Sequence, residues 1–140
     1  MKILISACLL GENCKYNGGN NRNEAVLRYV KGHEVIPVCP EVLGGLPVPR
    51  PSAEIVCGTV RTADGTSVDR EFRLGAKKAL ALAKESGAEL AILQPRSPSC
   101  GKGTVYDGTF SKKLVDGNGV FCALLLENGI PVKTPEELER

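Results

Sequence analysis

The opening run of this 140-residue chain, "KILISA", limits its fold more than any other feature. Ile3, Leu4 and Ile5 are apolar without alternation, so a strand built from them has no face to give to water. Such a strand belongs inside a sheet covered on both sides, and the rest of the chain supplies the cover. "NEAVLRYVKG" carries Ala25, Val26, Tyr29 and Val30 at helical spacing and stops at Gly32. "EVIPV" predicts a second strand, at an edge or a strand end, because Pro37 donates no ladder hydrogen bond. "DREFRLGAKKALALAKESG" is an amphipathic helix closed by Gly87. "AELAILQ" is a third main strand, "GVFCALLLENG" a buried helix and "IPVKT" a fourth strand. Thr134-Pro135-Glu136-Glu137 joins a capping box to a proline at the first helical position.

Between the second strand and the long helix, "CPEVLGGLPVPRPSAE" reads as rigid and irregular. "IVCGTVRTADGTSVD" alternates around Asp64-Gly65 and predicts a hairpin turning there. Alternating strands and helices imply a parallel sheet with right-handed crossovers. The expectation is therefore one domain over residues 1–140: a Rossmann-like α/β sandwich with a β-hairpin insertion.

Composition removes several classes of function. A net charge of +2 gives no field aimed at nucleic acid or an acidic membrane. Three Tyr, three Phe and no Trp make no ladder for stacking bases. No stretch approaches the ~20 apolar residues of a membrane span. "MKILISACLLG" lacks a small-x-small cleavage site, so it reads as a strand and not as a signal peptide. A cytoplasmic protein, monomer or homodimer, is expected.

Six cysteines then need an explanation: Cys8, Cys14, Cys39, Cys57, Cys100 and Cys122. A chain with this much Leu, Val, Ile and Ala needs no disulfide staples, and a reducing compartment favours metal or thiol chemistry. In open parallel sheets ligands gather beyond the carboxyl ends of the strands. Cys8 follows the first strand, Cys39 the second, and Cys100 the third by the short turn "QPRSPSCGKG". Three thiols thus converge on one rim from distant points of the sequence. Cys14 lies in the loop "GENCKYNGG" and is the weaker candidate. Cys57, in a hairpin strand, and Cys122, in an apolar helix, read as packing residues.

A structural zinc site usually has four ligands, often in Cys-x-x-Cys pairs, and none occurs here. The one histidine, His33, sits at the wrong end of its strand and reads as an ordinary surface residue. Three thiolates suit a four-iron cluster whose fourth iron stays open as a Lewis acid. Glu41, two residues past Cys39, is a candidate general acid or base; the bland reading is a carboxylate at a helix start. Ser97 and Ser99 before Cys100 are candidates to orient a substrate. Arg50, Arg96 and Lys102 lie in the same loops and are candidates to offset cluster or substrate charge.

At these residues a resemblance emerges. "SACLLGENCKYNGG", "VCPEVLGGLPVPRPSAEI" and "SPSCGKGTVYDGTF" resemble the thiouracil desulfidase family, and the likeness runs from Met1 to about Pro131. The resemblance implies an α/β protein with a [4Fe-4S] cluster on Cys8, Cys39 and Cys100. It implies Glu41 as the acid/base residue and Ser97 as the assisting serine, with Ser99 as the alternative. It also implies removal of sulfur from thiouracil, or a small thiolated pyrimidine, without net oxidation or reduction. Asn17 departs from the family's Tyr-Asp-Gly, so no charge is available there. Longer relatives with an added domain act on tRNA; the near-neutral charge here points to a small substrate instead. Two rival classes remain at this point. One is a thiol-redox or persulfide-handling protein with a nucleophilic and a resolving cysteine. The other is a non-catalytic metal-binding module.

Overall fold

The structure is a computed structural model and describes residues 1–139. Its centre is a four-stranded parallel sheet formed by β1 (Lys2–Ser6), β2 (Glu34–Val38), β5 (Leu90–Ile92) and β8 (Val132–Lys133). The strand order is β2-β1-β5-β8. β1 pairs from Lys2 opposite Glu34 to Ser6 opposite Val38, and Ile3 to Ile5 of the same strand face Leu90 to Ile92. Pro37 accordingly lies on an edge strand, with its ring exposed.

The unbroken apolar run of β1 is used on both faces. Leu4 joins the core beneath α3 (Asp69–Ser86) and α4 (Val120–Glu127), with Ala76, Ala79, Ala83, Phe121 and Leu125. Ile3 and Ile5 point the other way, toward Val26 and Val30 around α1 (Glu24–Tyr29). Asn23 caps α1 by accepting the Val26 amide at 3.1 Å. Gly87 ends α3 in the left-handed conformation (φ +72°). No described helix is long and apolar enough to cross a membrane.

Four details differ from the sequence expectations. The first hairpin, β3 (Ala53–Val56) with β4 (Thr59–Thr62), turns at Cys57-Gly58 and not at Asp64-Gly65. Both turn residues have positive φ, +50° and +81°, as a two-residue hairpin turn of type I′ requires. Asp64-Gly65 forms a second turn beyond β4, closed by the Thr62 amide on the Thr66 carbonyl at 2.9 Å. Cys57 is therefore an exposed turn residue and not a packed strand residue.

The second difference is a further hairpin, β6 (Thr104–Tyr106) with β7 (Leu114–Asp116). All of β7 is exposed, so no burial pattern marked it in the sequence. Third, the proline-rich segment contains a short helix, α2 (Pro40–Leu43), started by Pro40. Last, the C-terminal capping box is half formed. Glu137 accepts the Thr134 amide at 3.0 Å, and residues Pro135–Glu139 form a 3-10 turn.

One packing contact sets where α2 can lie. It crosses α3 with Gly44 against the Glu71 carbonyl and Gly75 against the Pro40 carbonyl. A Cβ at either glycine would overlap the opposing backbone. Two glycines thus let the helices touch backbone to backbone, and α2 carries Cys39 and Glu41 at its start.

Candidate functional site

Each of the three cysteines at strand ends is fixed by its own local device. Cys8 sits in a 3-10 turn, Ala7–Leu10, which follows β1 directly and ends at Gly11 (φ +100°). Asn21 holds it twice: its amide donates to the Cys8 carbonyl at 2.9 Å, and its Nδ2 donates to Cys8 Sγ at 3.5 Å. Cys39 is the N-cap of α2, and its carbonyl accepts the Leu43 amide at 3.0 Å.

Cys100 lies in the turn after β5, and Ser97 builds that turn. The Ser97 hydroxyl oxygen accepts the amides of Ser99 and Cys100 at 3.0 and 3.1 Å. The turn is then sealed by α4, whose Phe121 amide donates to the Ser99 carbonyl at 2.8 Å. Cys100 is buried, while Cys8 and Cys39 are half-buried.

The electrostatics of these groups are linked. Burial is the main cause raising the Cys8 thiol; Asn21 opposes it, and the charges of Cys39 and Glu41 add to it. Burial pushes Cys100 well above the ordinary thiol range, with Glu41, Cys8 and Cys39 again contributing. Cys39 is lowered to about 7, chiefly by a hydrogen bond from the Cys14 thiol, and Cys14 is raised in return. All three thiols therefore feel one another and Glu41 across a shared space.

Among the described residues, no three donors close around one point as a single ion requires. A four-iron cluster takes each thiolate on a different iron, so it asks for wider spacing. Soft thiol donors at three neighbouring strand ends, one buried and two half-buried, fit such a group. Binding it would relieve the cost of ionising Cys8 and Cys100, which burial and neighbouring charges hold protonated.

Glu41 stands in the first turn of α2 with its side chain 17% exposed. Its Oε2 is paired with the guanidinium of Arg50, whose side chain is only 5% exposed. Arg50 also donates to the Cys14 carbonyl at 3.0 Å and the Pro47 carbonyl at 3.1 Å. It is thus engaged inside the site rather than presented to a substrate phosphate. Lys102 is engaged as well, 2.8 and 2.9 Å from the two carboxylate oxygens of Glu137. Arg96 is exposed with φ +67°, and it lines an open cavity of about 360 Å³ with Leu9, Asn21, Arg22, Gln94 and Glu136. Asn21 joins that cavity to Cys8.

The two serines separate. Ser97 is half-buried, and its oxygen is committed to the Cys100 turn. Ser99 is fully buried, and its hydroxyl has no partner among the described residues. Cys122 is buried in α4, where burial raises its thiol to about 11. His33 is half-buried, stacked on Tyr29 at the end of β2 away from Cys39. Sequence reasoning missed Asn21, the Glu41–Arg50 pair and the contact of Cys14 with Cys39. The loop "GENCKYNGGNN" holds Asn21 and Cys14, whereas Glu41 and Arg50 lie outside it in "CPEVLGGLPVPR".

Comparison with known proteins gives the family. The family model described as 2-thiouracil desulfurase matches residues 3–137. A solved structure named as a [4Fe-4S]-dependent thiouracil desulfidase, TudS, is 40% identical with a TM-score of 0.91. The match covers 99% of this chain and 93% of that one. The uncharacterized protein YbbK of Bacillus subtilis (strain 168) is 42% identical over 146 residues, covering 97% of both chains. With sequence and fold matched over nearly the whole length, this chain belongs to the 2-thiouracil desulfurase family.

Proposed function

We propose that this protein holds a [4Fe-4S] cluster on Cys8, Cys39 and Cys100 and removes the sulfur of thiouracil by hydrolysis. The observation that carries the reading is the placement of those three cysteines past the carboxyl ends of β1, β2 and β5, with Glu41 two residues beyond Cys39. Family membership and the cofactor named for the similar solved structure support it. When bound, the cluster supplies a Lewis-acidic iron with a free position, which draws electron density from the thiocarbonyl carbon.

The chain's own residues supply the rest. Glu41 takes a proton from the water whose oxygen adds to that carbon. Ser97 accepts two amides through its oxygen, which leaves its own O–H to donate to the substrate. The balance is thiouracil plus water giving uracil plus hydrogen sulfide: C=S is exchanged for C=O, and no electrons are transferred. The six free thiols suit the cytoplasm as the working compartment.

A thiol-redox reading has one observation behind it, the Cys14–Cys39 pair with Cys39 lowered to about 7. Metal content and product separate the two. Purified without air and reconstituted with iron and sulfide, the protein should convert 2- or 4-thiouracil to uracil and inorganic sulfide in equal amounts, without an electron donor. No sulfide release from protein with an intact cluster would sink the proposed function.

A further inference from the structure

Arg50 is nearly as deeply placed as a core residue, yet it carries a full charge. Its guanidinium is shared among three acceptors: the Glu41 carboxylate, the Cys14 carbonyl at 3.0 Å and the Pro47 carbonyl at 3.1 Å. Its own amide donates to the Tyr16 carbonyl at 2.7 Å. These partners come from the loop after Cys8, from α2 and from the proline-rich segment. One side chain therefore ties together the pieces that carry Cys14, Cys39 and Glu41. A planar fork with five donors can do this; a lysine ammonium, a point charge on a flexible stem, cannot hold the same geometry. Among the described residues, the second carboxylate oxygen of Glu41 accepts no hydrogen bond. Arg50 occupies one oxygen and leaves the other open to water.

Building on the function proposed above, we propose that Arg50 is a positioning residue for desulfidation: it holds the Glu41 carboxylate in place with one oxygen free to take a proton. It acts through Glu41, and it does not bind the substrate. A carboxylate freed from such a clamp swings between rotamers, and misplacement by about 1 Å can cost on the order of 100-fold in rate.

The test compares Arg50→Ala, Arg50→Lys, Glu41→Gln and the double variant Glu41→Gln/Arg50→Ala, each loaded with cluster and assayed on 4-thiouracil, with iron content measured beside turnover. Arg50→Ala should lower kcat by ~10–100-fold and leave KM within about threefold. Added guanidinium should restore part of the loss in Arg50→Ala, and Arg50→Lys should stay slow. In the Glu41→Gln background, removing Arg50 should cost less than about threefold more, since the partner it serves is already disabled. A raised KM at unchanged kcat would overturn the proposal and make Arg50 a substrate contact. Losses that multiply in the double variant would overturn it in favour of an independent structural role. If Arg50→Ala does not fold, Arg50→Lys combined with Glu41→Gln decides by the same rule. Wild-type protein that is loaded yet releases no sulfide would overturn the function and this role together. An active wild type with an unaffected Arg50→Ala would overturn the role alone.

Discussion

The contact between α2 and α3 offers a test in which the sign of the effect separates two explanations. In isolation, Gly75→Ala in the interior of an 18-residue helix should stabilise the fold by about 1 kcal/mol, through helix propensity. Here the new methyl would meet the Pro40 carbonyl, with the Gly44 amide nitrogen 3.0 Å away. Backbone cannot rotate aside as a side chain can, so the cost belongs to overpacking, about 1–3 kcal/mol or somewhat more. The net expectation is a loss of up to about 2 kcal/mol, or a fall in Tm of up to roughly 8 °C for a domain of this size. Relief of the clash moves α2 outward, and Cys39 and Glu41 move with it. Iron uptake should therefore fall as well. Ala81→Gly, on the exposed side of the same helix, is the control. It should lose about 1 kcal/mol by propensity alone and keep its full iron content. The assay is thermal and urea unfolding of the reduced apoprotein, with iron counted after reconstitution. A Gly75→Ala variant with a raised Tm and full iron would refute the argument that this contact sets the site.

Other outcomes follow from the same geometry. Replacing Cys8, Cys39 or Cys100 singly by Ser should abolish stable cluster binding, while Cys57→Ser should retain iron, because Cys57 lies exposed at a hairpin turn. Iron analysis of folded variants checks this, and a Cys39→Ser protein with a full cluster would contradict it. Glu41→Gln should keep the absorption spectrum and lower kcat by ~100-fold or more; near-normal turnover would remove Glu41 from the chemistry. Cluster assembly should release protons, since Cys8 and Cys100 are shifted up and must ionise to bind iron. Uptake at limiting iron should thus rise with pH between about 6 and 9, where proton competition declines. In the apoprotein Cys39, lowered to about 7, should be alkylated first and Cys100 last. A flat uptake profile, or Cys100 reacting first, would contradict these assignments.

The sequence disclosed the frame of the fold because burial leaves a periodic trace. The unbroken Ile3-Leu4-Ile5 run marked a strand covered on both faces, and those residues do divide between the two cores. Pro37 marked the edge of the sheet. Exposed elements left no such trace, and β7 went unseen for that reason. The first hairpin turn was misplaced because Asp-Gly is a strong turn signal, whereas Cys57 gives no hint that it adopts positive φ. At the site, the strand-end positions of Cys8, Cys39 and Cys100 were readable from topology. The partner of Arg50 was not, since an ion pair between residues nine apart depends on how α2 and the proline-rich segment fold back. Lys102 misled for a related reason: its partner Glu137 lies 35 residues away.

In the proposed site three thiolates hold a four-iron cluster and leave one iron for the substrate. Mössbauer spectra of iron-enriched, anaerobically reconstituted protein test it most directly, recorded before and after thiouracil is added. One iron in four should change its signal, and the change should vanish when uracil replaces thiouracil, because iron of this kind favours sulfur over oxygen. Four irons that all ignore the substrate while sulfide is still released would contradict the account.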